Sequence, residues 1–158
     1  MRVCLLTIVL AILALAAVPM PATPAPPTAP AQPKKATPAP PELVAELRPI
    51  VEGARQRFEA RDAGGVLANV SEQYRSAGMT KAALREQLLA MFTLYDAMRV
   101  RLTIDRVQLV EGAVWVYTSG EVTGRLGFLG WMRVLAWQNE PEVARRESAG
   151  WRLFGFQD

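Results

Sequence analysis

Two hydrophobic periodicities divide the chain. Leu43, Leu47, Ile50, Val51, Ala54 and Phe58 recur three or four residues apart, which predicts a helix with one apolar stripe over about 42–61. Pro49 interrupts the stripe: either the helix begins there, with proline in its first turn, or an earlier turn is kinked against it. The run Arg61-Asp62-Ala63-Gly64-Gly65 then stops the helix, since two glycines let the chain reverse. Val66, Leu67 and Val70 predict one or two further helical turns. A second long helix starts at Thr80, whose hydroxyl can accept from a free amide of the first turn, with Met79 and Leu84 as its hydrophobic staple. Leu84, Leu88, Met91, Phe92 and Tyr95 line its buried face, and Asp96 with Ala97-Met98 marks its end.

After residue 99 the period falls to two. Val100, Leu102 and Ile104 alternate with Arg101, Thr103 and Asp105, and then the apolar parity slips to Val107 and Leu109. A slip by one residue within a strand is the mark of a β-bulge. Glu111-Gly112 predicts a two-residue hairpin turn. Val107 and Leu109 then oppose Val116 and Val114 on one face, while Arg106, Gln108, Trp115 and Tyr117 take the other. The stretch 118–124 interrupts or bends the sheet, Leu126–Trp137 makes a long strand, and Asn139-Glu140-Pro141 reads as a loop. Gly150 turns the chain into a final strand over 151–156, with Trp151 and Leu153 on one face and Phe154 and Phe156 on the other. Helices first and antiparallel strands afterwards define an α+β fold, with helices packed on one face of a sheet.

Composition adds two zones ahead of this domain. Residues 3–18 carry no charge and follow Arg2, the layout of a secretory signal, and Ala14-Leu15-Ala16 fits its cleavage pattern. A spanning helix needs roughly 20 apolar residues, and Pro19 and Pro21 end this run short of that. The expected outcome is export to the periplasm or beyond after cleavage; the alternative is an anchor retained in the membrane. Cys4, the single cysteine, lies at the front of the run and leaves with it, so the exported part carries no disulfide or thiolate chemistry. Residues 19–41 hold ten of the twelve prolines. With almost no large apolar side chain, they read as a disordered, extended linker. The domain itself is assigned to 42–158.

Charge excludes some partners. Of 18 Lys and Arg, removal of Arg2 leaves seventeen against fifteen Asp and Glu, nearly neutral and without a concentrated basic face. Nucleic acid is therefore not an expected partner, and membrane contact is expected only if the N-terminal segment is retained. The chain has no histidine, no usable cysteine and no acidic ion-binding loop, so neither metal nor cofactor is expected. Two carboxylates are candidates for acid–base work. Asp105 sits at the inferred bulge and Glu121 where the strand bends; desolvation beside a pocket would raise either towards working pH. The plainer reading of Asp105 is a solvated bulge residue.

The helix ending in "ARDAGGVL", the "SEQY" after the short helix and the closing "GWRLFGF" are in order and spacing similar to the nuclear transport factor 2-like (SnoaL-like) superfamily over about 42–158. That resemblance implies N-terminal helices filling the hollow of a curved antiparallel sheet, a cone with a pocket, in which the last strand completes the sheet. It implies that Tyr74 and Tyr95 lie near the pocket, as ligand-binding candidates or as core residues with a wet hydroxyl. It also implies a homodimer through the back of the sheet, for which Trp115, Tyr117, Phe154 and Phe156 are the expected surface, unless the N-terminal segment or a loop covers them. Enzymatic members place an Asp or His base in the pocket; without histidine, a histidine mechanism is absent. The reading favoured is an exported, non-catalytic envelope domain that binds a small apolar ligand or a partner. The alternatives are an isomerase-, dehydratase- or hydrolase-type enzyme using a carboxylate and a tyrosine, and a structural dimerisation module. Fold alone decides none of them.

Overall fold

A computed structural model describes residues 36–156; the expected signal and most of the expected linker lie outside them. The chain runs β1 (Ala36–Pro38), α1 (Pro41–Glu59), α2 (Ala63–Leu67), β2 (Arg75–Ser76), β3 (Met79–Thr80), α3 (Lys81–Leu94), β4 (Ala97–Val110), β5 (Ala113–Leu126), β6 (Gly130–Glu147) and β7 (Gly150–Leu153). One five-stranded antiparallel sheet has the order β1-β4-β5-β6-β7, and β2 with β3 forms a separate small hairpin. The class is α+β, with the helices on one face of the sheet.

The fold takes in residues before the expected boundary. Ala36–Pro38 pairs with Gln108–Val110 at the edge of β4. Backbone pairing of this kind needs no large side chain, so a Pro/Ala-rich composition does not forbid it, and an edge strand tolerates proline. α1 starts at Pro41 and runs through Pro49. An interior proline costs a helix about 3 kcal/mol; packing on both sides of it holds α1 continuous. Leu43, Val44 and Leu47 pack with Val107, Val114, Val116 and Ala144 in one cluster. Phe58 joins a second, larger cluster with Leu67, Val70, Tyr74, Leu84, Leu88, Met91, Phe92, Val122 and Trp137, its ring edge-on to Phe92 at 5.2 Å. The two glycines do not end α1, which stops at Glu59 before left-handed Arg61. They lie inside α2, whose first turn is capped by Asp62 accepting from the Gly65 amide at 2.8 Å. Thr80 caps α3 as expected, its Oγ1 accepting from Ala83 N at 3.1 Å.

In the sheet, Asp105 is the extra residue of a bulge between Ile104 and Arg106, and Val107↔Val116 and Leu109↔Val114 are paired. Glu111 (φ 51°) and Gly112 (φ 80°) make the tight turn. Residues 118–124 do not interrupt the sheet but form the middle of β5. The bend is absorbed by register shifts between Thr118 and Gly120 and between Val122 and Thr123. Nor is 139–141 a loop. β6 continues through it with Asn139 in the left-handed region (φ 52°), so that Ser119 faces the two residues between Trp137 and Glu140. The closing strand is shorter than expected. It ends at Leu153, and the chain turns at Gly155 (φ 80°) after the Phe154 amide donates to Val143 O.

Candidate functional site: a cleft under helix α1

The middle of α1 carries Ile50, Val51 and Ala54 over the inner face of the sheet, between the two apolar clusters. The helix does not fill the space beneath it. A lobe of about 50 Å³ lies among Leu47, Ile50, Val51, Leu102, Val116 and Trp151, and an adjoining lobe of about 70 Å³ among Phe58, Val66, Val100 and Trp137. Ala54, Asn69, Leu102 and Leu153 line both. The far end of the hollow is solid: Met91, Phe92 and Trp137 are packed in the large cluster.

Two charged residues of the sheet, Glu142 and Arg152, line this apolar cleft. Glu142 pairs with Val116, an inner-face residue, and therefore points inward. Its side chain is fully buried, with 0% of its surface exposed, and it lines the smaller lobe. Next to it is Thr118, also at 0% exposure, whose Oγ1 accepts from Trp137 Nε1 at 3.1 Å. Asn69 lies at the junction of the two lobes and Arg152 lines the smaller one. On the rim, Glu46 of α1 accepts from Trp151 Nε1 at 2.9 Å and ties the helix to β7.

The residues singled out from the sequence lie elsewhere. Asp105 is exposed on the outer face, where its Oδ2 accepts from Ser119 Oγ at 2.6 Å. Ser119 Oγ also accepts from Asn139 N, and Asn139 Oδ1 from Arg106, so the bulge gathers Asp105 and Arg106 into one solvent-side network. Glu121 is likewise on the outer face, 3.3 Å from Arg133, beside an open hollow lined by Arg101, Thr103 and Ser119. Neither carboxylate faces the cleft. Tyr74 and Tyr95 are core residues, 0% and 6% exposed, and line neither lobe; the Tyr95 ring lies over Gly124.

The aromatic residues expected on the back of the sheet do share that face, but the chain covers much of them itself. Phe156 sits edge-on to Trp115 at 5.4 Å. Arg106 lies over Tyr117 at 3.7 Å and Arg145 over Phe154 at 4.3 Å. Phe154 is only 5% exposed and is therefore a core residue of the single chain, not an interface anchor.

Glu142 escaped the sequence reading for a physical reason. In Pro141-Glu142-Val143-Ala144-Arg145 the apolar valine is the residue that alternation would send inward. Here Val143 faces outward, into a hollow with Val110, Trp115 and Phe154. The two-for-one bulge at Ser119 sets that parity, and its signal is the Asn139-Glu140-Pro141 run itself.

Among the described residues, no group of three or more His, Cys, Asp or Glu side chains is placed to hold a metal ion, and no helix is long and apolar enough to cross a membrane.

No family model and no curated protein sequence matches the chain. Solved structures do. The ketosteroid isomerase-like protein from Erwinia carotovora atroseptica superposes with a TM-score of 0.55 at 20% identity, over 73% of this chain and 93% of its own. A proposed dehydratase of the NTF2-like family from Streptomyces avermitilis gives 0.56 at 11%, over 74% and 94%. Bd1075 of Bdellovibrio bacteriovorus gives 0.54 at 14%, over 70% of this chain but only 38% of the neighbour, so the chain spans well under half of that protein. At such identities the likeness establishes architecture: the fold is that of the nuclear transport factor 2-like, or SnoaL-like, proteins.

Proposed function

We propose that this domain binds a small, largely apolar molecule in the cleft under α1, and that Glu142 reads the one polar group of that molecule. The observation that carries this reading is a wholly buried carboxyl in a cleft whose remaining walls are mostly aliphatic and aromatic. The lobes are well below the roughly 300–1,000 Å³ of drug-sized sites, so the occupant is of few heavy atoms, about the size of one small ring. The few polar side chains along the cleft, Glu142, Thr118, Asn69 and Arg152, favour a guest that carries one hydroxyl, carbonyl or amide over a pure hydrocarbon. A thermal-shift screen of small hydroxylated and carbonyl-bearing ring compounds tests this. Binders should raise the melting temperature of the native chain but not that of Glu142→Leu. A screen in which the same compounds stabilise both equally would remove Glu142 from the role.

A second reading rests on the same residue. A buried carboxyl can pass a proton between two positions of a bound molecule, the kind of chemistry isomerases and dehydratases perform, and the names of two structural neighbours point that way. Deuterium entering a bound compound from D2O with the native chain, but not with Glu142→Gln, would establish it. Tyr74 and Tyr95 have no part in this chemistry, because neither lines the cleft.

The place of action proposed is outside the cytoplasm, supported by the signal-like layout of residues 1–18. A homodimer through the outer face remains part of the proposal. Its support is the half-exposed set Trp115, Tyr117 and Phe156, with Phe154 now assigned to the core.

A further inference from the structure

The hairpin joining β5 to β6 ends in Gly127-Phe128-Leu129-Gly130, and its apolar residues face outward into solvent. Phe128 is 98% exposed, Leu129 59% and Trp131 39%, while Leu94 at the end of α3 is 43% exposed. The turn is not a frayed loop. Gly127 (φ 43°) and Gly130 (φ 78°) both occupy the left-handed region, which closes the short 3-10 turn and lifts Phe128 and Leu129 off the sheet. Asp96, just past α3, fixes its base, since Oδ2 accepts from Gly127 N at 2.8 Å and the Asp96 amide donates to Arg125 O at 2.9 Å. The same contacts bring the end of α3, with Leu94, to this end of the molecule.

Behind the tip stands a set of arginines on the outer face. Arg99 stacks on Trp131 at 3.9 Å, Arg125 pairs directly with Trp131 across the sheet, and Arg133 is two residues further along β6. Arg133 shares its charge with Glu121 at 3.3 Å and is still 68% exposed. Thus an apolar point leads, an amphipathic tryptophan follows, and guanidinium groups stand one to two residues behind.

From this order we infer that the β5–β6 hairpin tip inserts into the surface of an anionic lipid bilayer. Phe128 and Leu129 enter the acyl boundary, Trp131 sits at headgroup depth, and Arg99, Arg125 and Arg133 meet lipid phosphates. A protruding tip suits a deformable surface, whereas a protein partner would require a matching cavity. Tryptophan at the interface and basic groups over anionic headgroups are the two features such a surface rewards. The site is separate from the cleft and independent of any guest there, and it does not use residues 1–18.

The test places an environment-sensitive fluorophore on the full chain at Phe128→Cys, in a Cys4→Ser background, with a control label at exposed Ala45→Cys on α1. Vesicles of equal parts phosphatidylglycerol and phosphatidylcholine should shift the probe at 128 to the blue and leave the probe at 45 in water. Arg99→Gln with Arg125→Gln should weaken the vesicle titration by roughly five-fold or more per charge removed, and about 0.5 M salt should weaken it further. The inference is overturned if the probe at 128 keeps its aqueous emission, or responds equally to pure phosphatidylcholine. A shift that rises with protein concentration in the absence of lipid would also overturn it, assigning the tip to a second copy of the chain.

Discussion

Gly120 is the position where one added methyl group tests the most of this structure. It pairs with Trp137 across β5 and β6. A Cβ there would stand 2.4 Å from Trp137 Cζ2 and 2.5 Å from the carbonyl oxygen of Arg101. One obstacle is a ring held by its Nε1 bond to Thr118, and the other is the backbone of β4, so neither yields cheaply. Overpacking costs about 1–3 kcal/mol, and displacing the indole from Thr118 adds about 1 kcal/mol for the lost hydrogen bond. Gly120→Ala should therefore lose about 2–4 kcal/mol. With a urea m-value near 2 kcal/mol/M, the unfolding midpoint falls by about 1–2 M. Gly53→Ala is the matched control, because a Cβ there meets nothing within 4 Å in the interior of α1. It should gain roughly 0.5–1 kcal/mol from helix propensity alone. Equal midpoints for Gly120→Ala and the native chain would refute the packing of Trp137 against β5, and with it the wall of the larger lobe.

Three further outcomes follow from contacts away from the cleft. Thr80→Ala removes the cap on Ala83 N and should cost about 1 kcal/mol in urea unfolding; a midpoint that does not move would deny the cap. The Glu52 carboxyl is held down to about 2, first by its hydrogen bond from Arg55 and then by Gln56. The Gly65 amide, then Arg57, lowers Asp62. Both folded values are depressed, so their contribution is present at neutral pH, above the unfolded values, and is lost as pH falls from about 4.5 towards 2. Both groups are at the surface, so added salt should flatten that acid limb; a limb of unchanged steepness in high salt would point to buried groups instead. Sedimentation equilibrium at tens of micromolar (roughly, for a weak interface of ordinary size) should show a dimer that Trp115→Arg dissociates, and a monodisperse native monomer would remove the homodimer.

The features legible in the sequence were those encoded within a few residues. Thr80 with Met79 and Leu84 announces α3, the slip between Ile104 and Val107 announces the bulge at Asp105, and Glu111-Gly112 announces its hairpin. What escaped depends on partners distant in sequence. Asn139-Glu140-Pro141 looks like a loop because all three are poor strand formers, yet β5 holds it in the sheet by facing one residue with two. That same bulge turns Glu142 inward against the local pattern, so the carboxylates visible to the eye, Asp105 and Glu121, are the ones facing solvent. Tyr74 and Tyr95 fill the core instead of lining the cleft, and no local signal in the sequence separates those two roles for a tyrosine.

Occupancy of the cleft around Glu142 by a small guest can be read directly. Native mass spectrometry of the full chain, under gentle and then denaturing conditions, reads that occupancy. The expected result is an extra mass of a single small molecule that leaves on denaturation and is missing from Glu142→Leu. A guest retained undiminished by Glu142→Leu, or a native protein that carries none and gains none when incubated with the compounds selected by thermal shift, would contradict it.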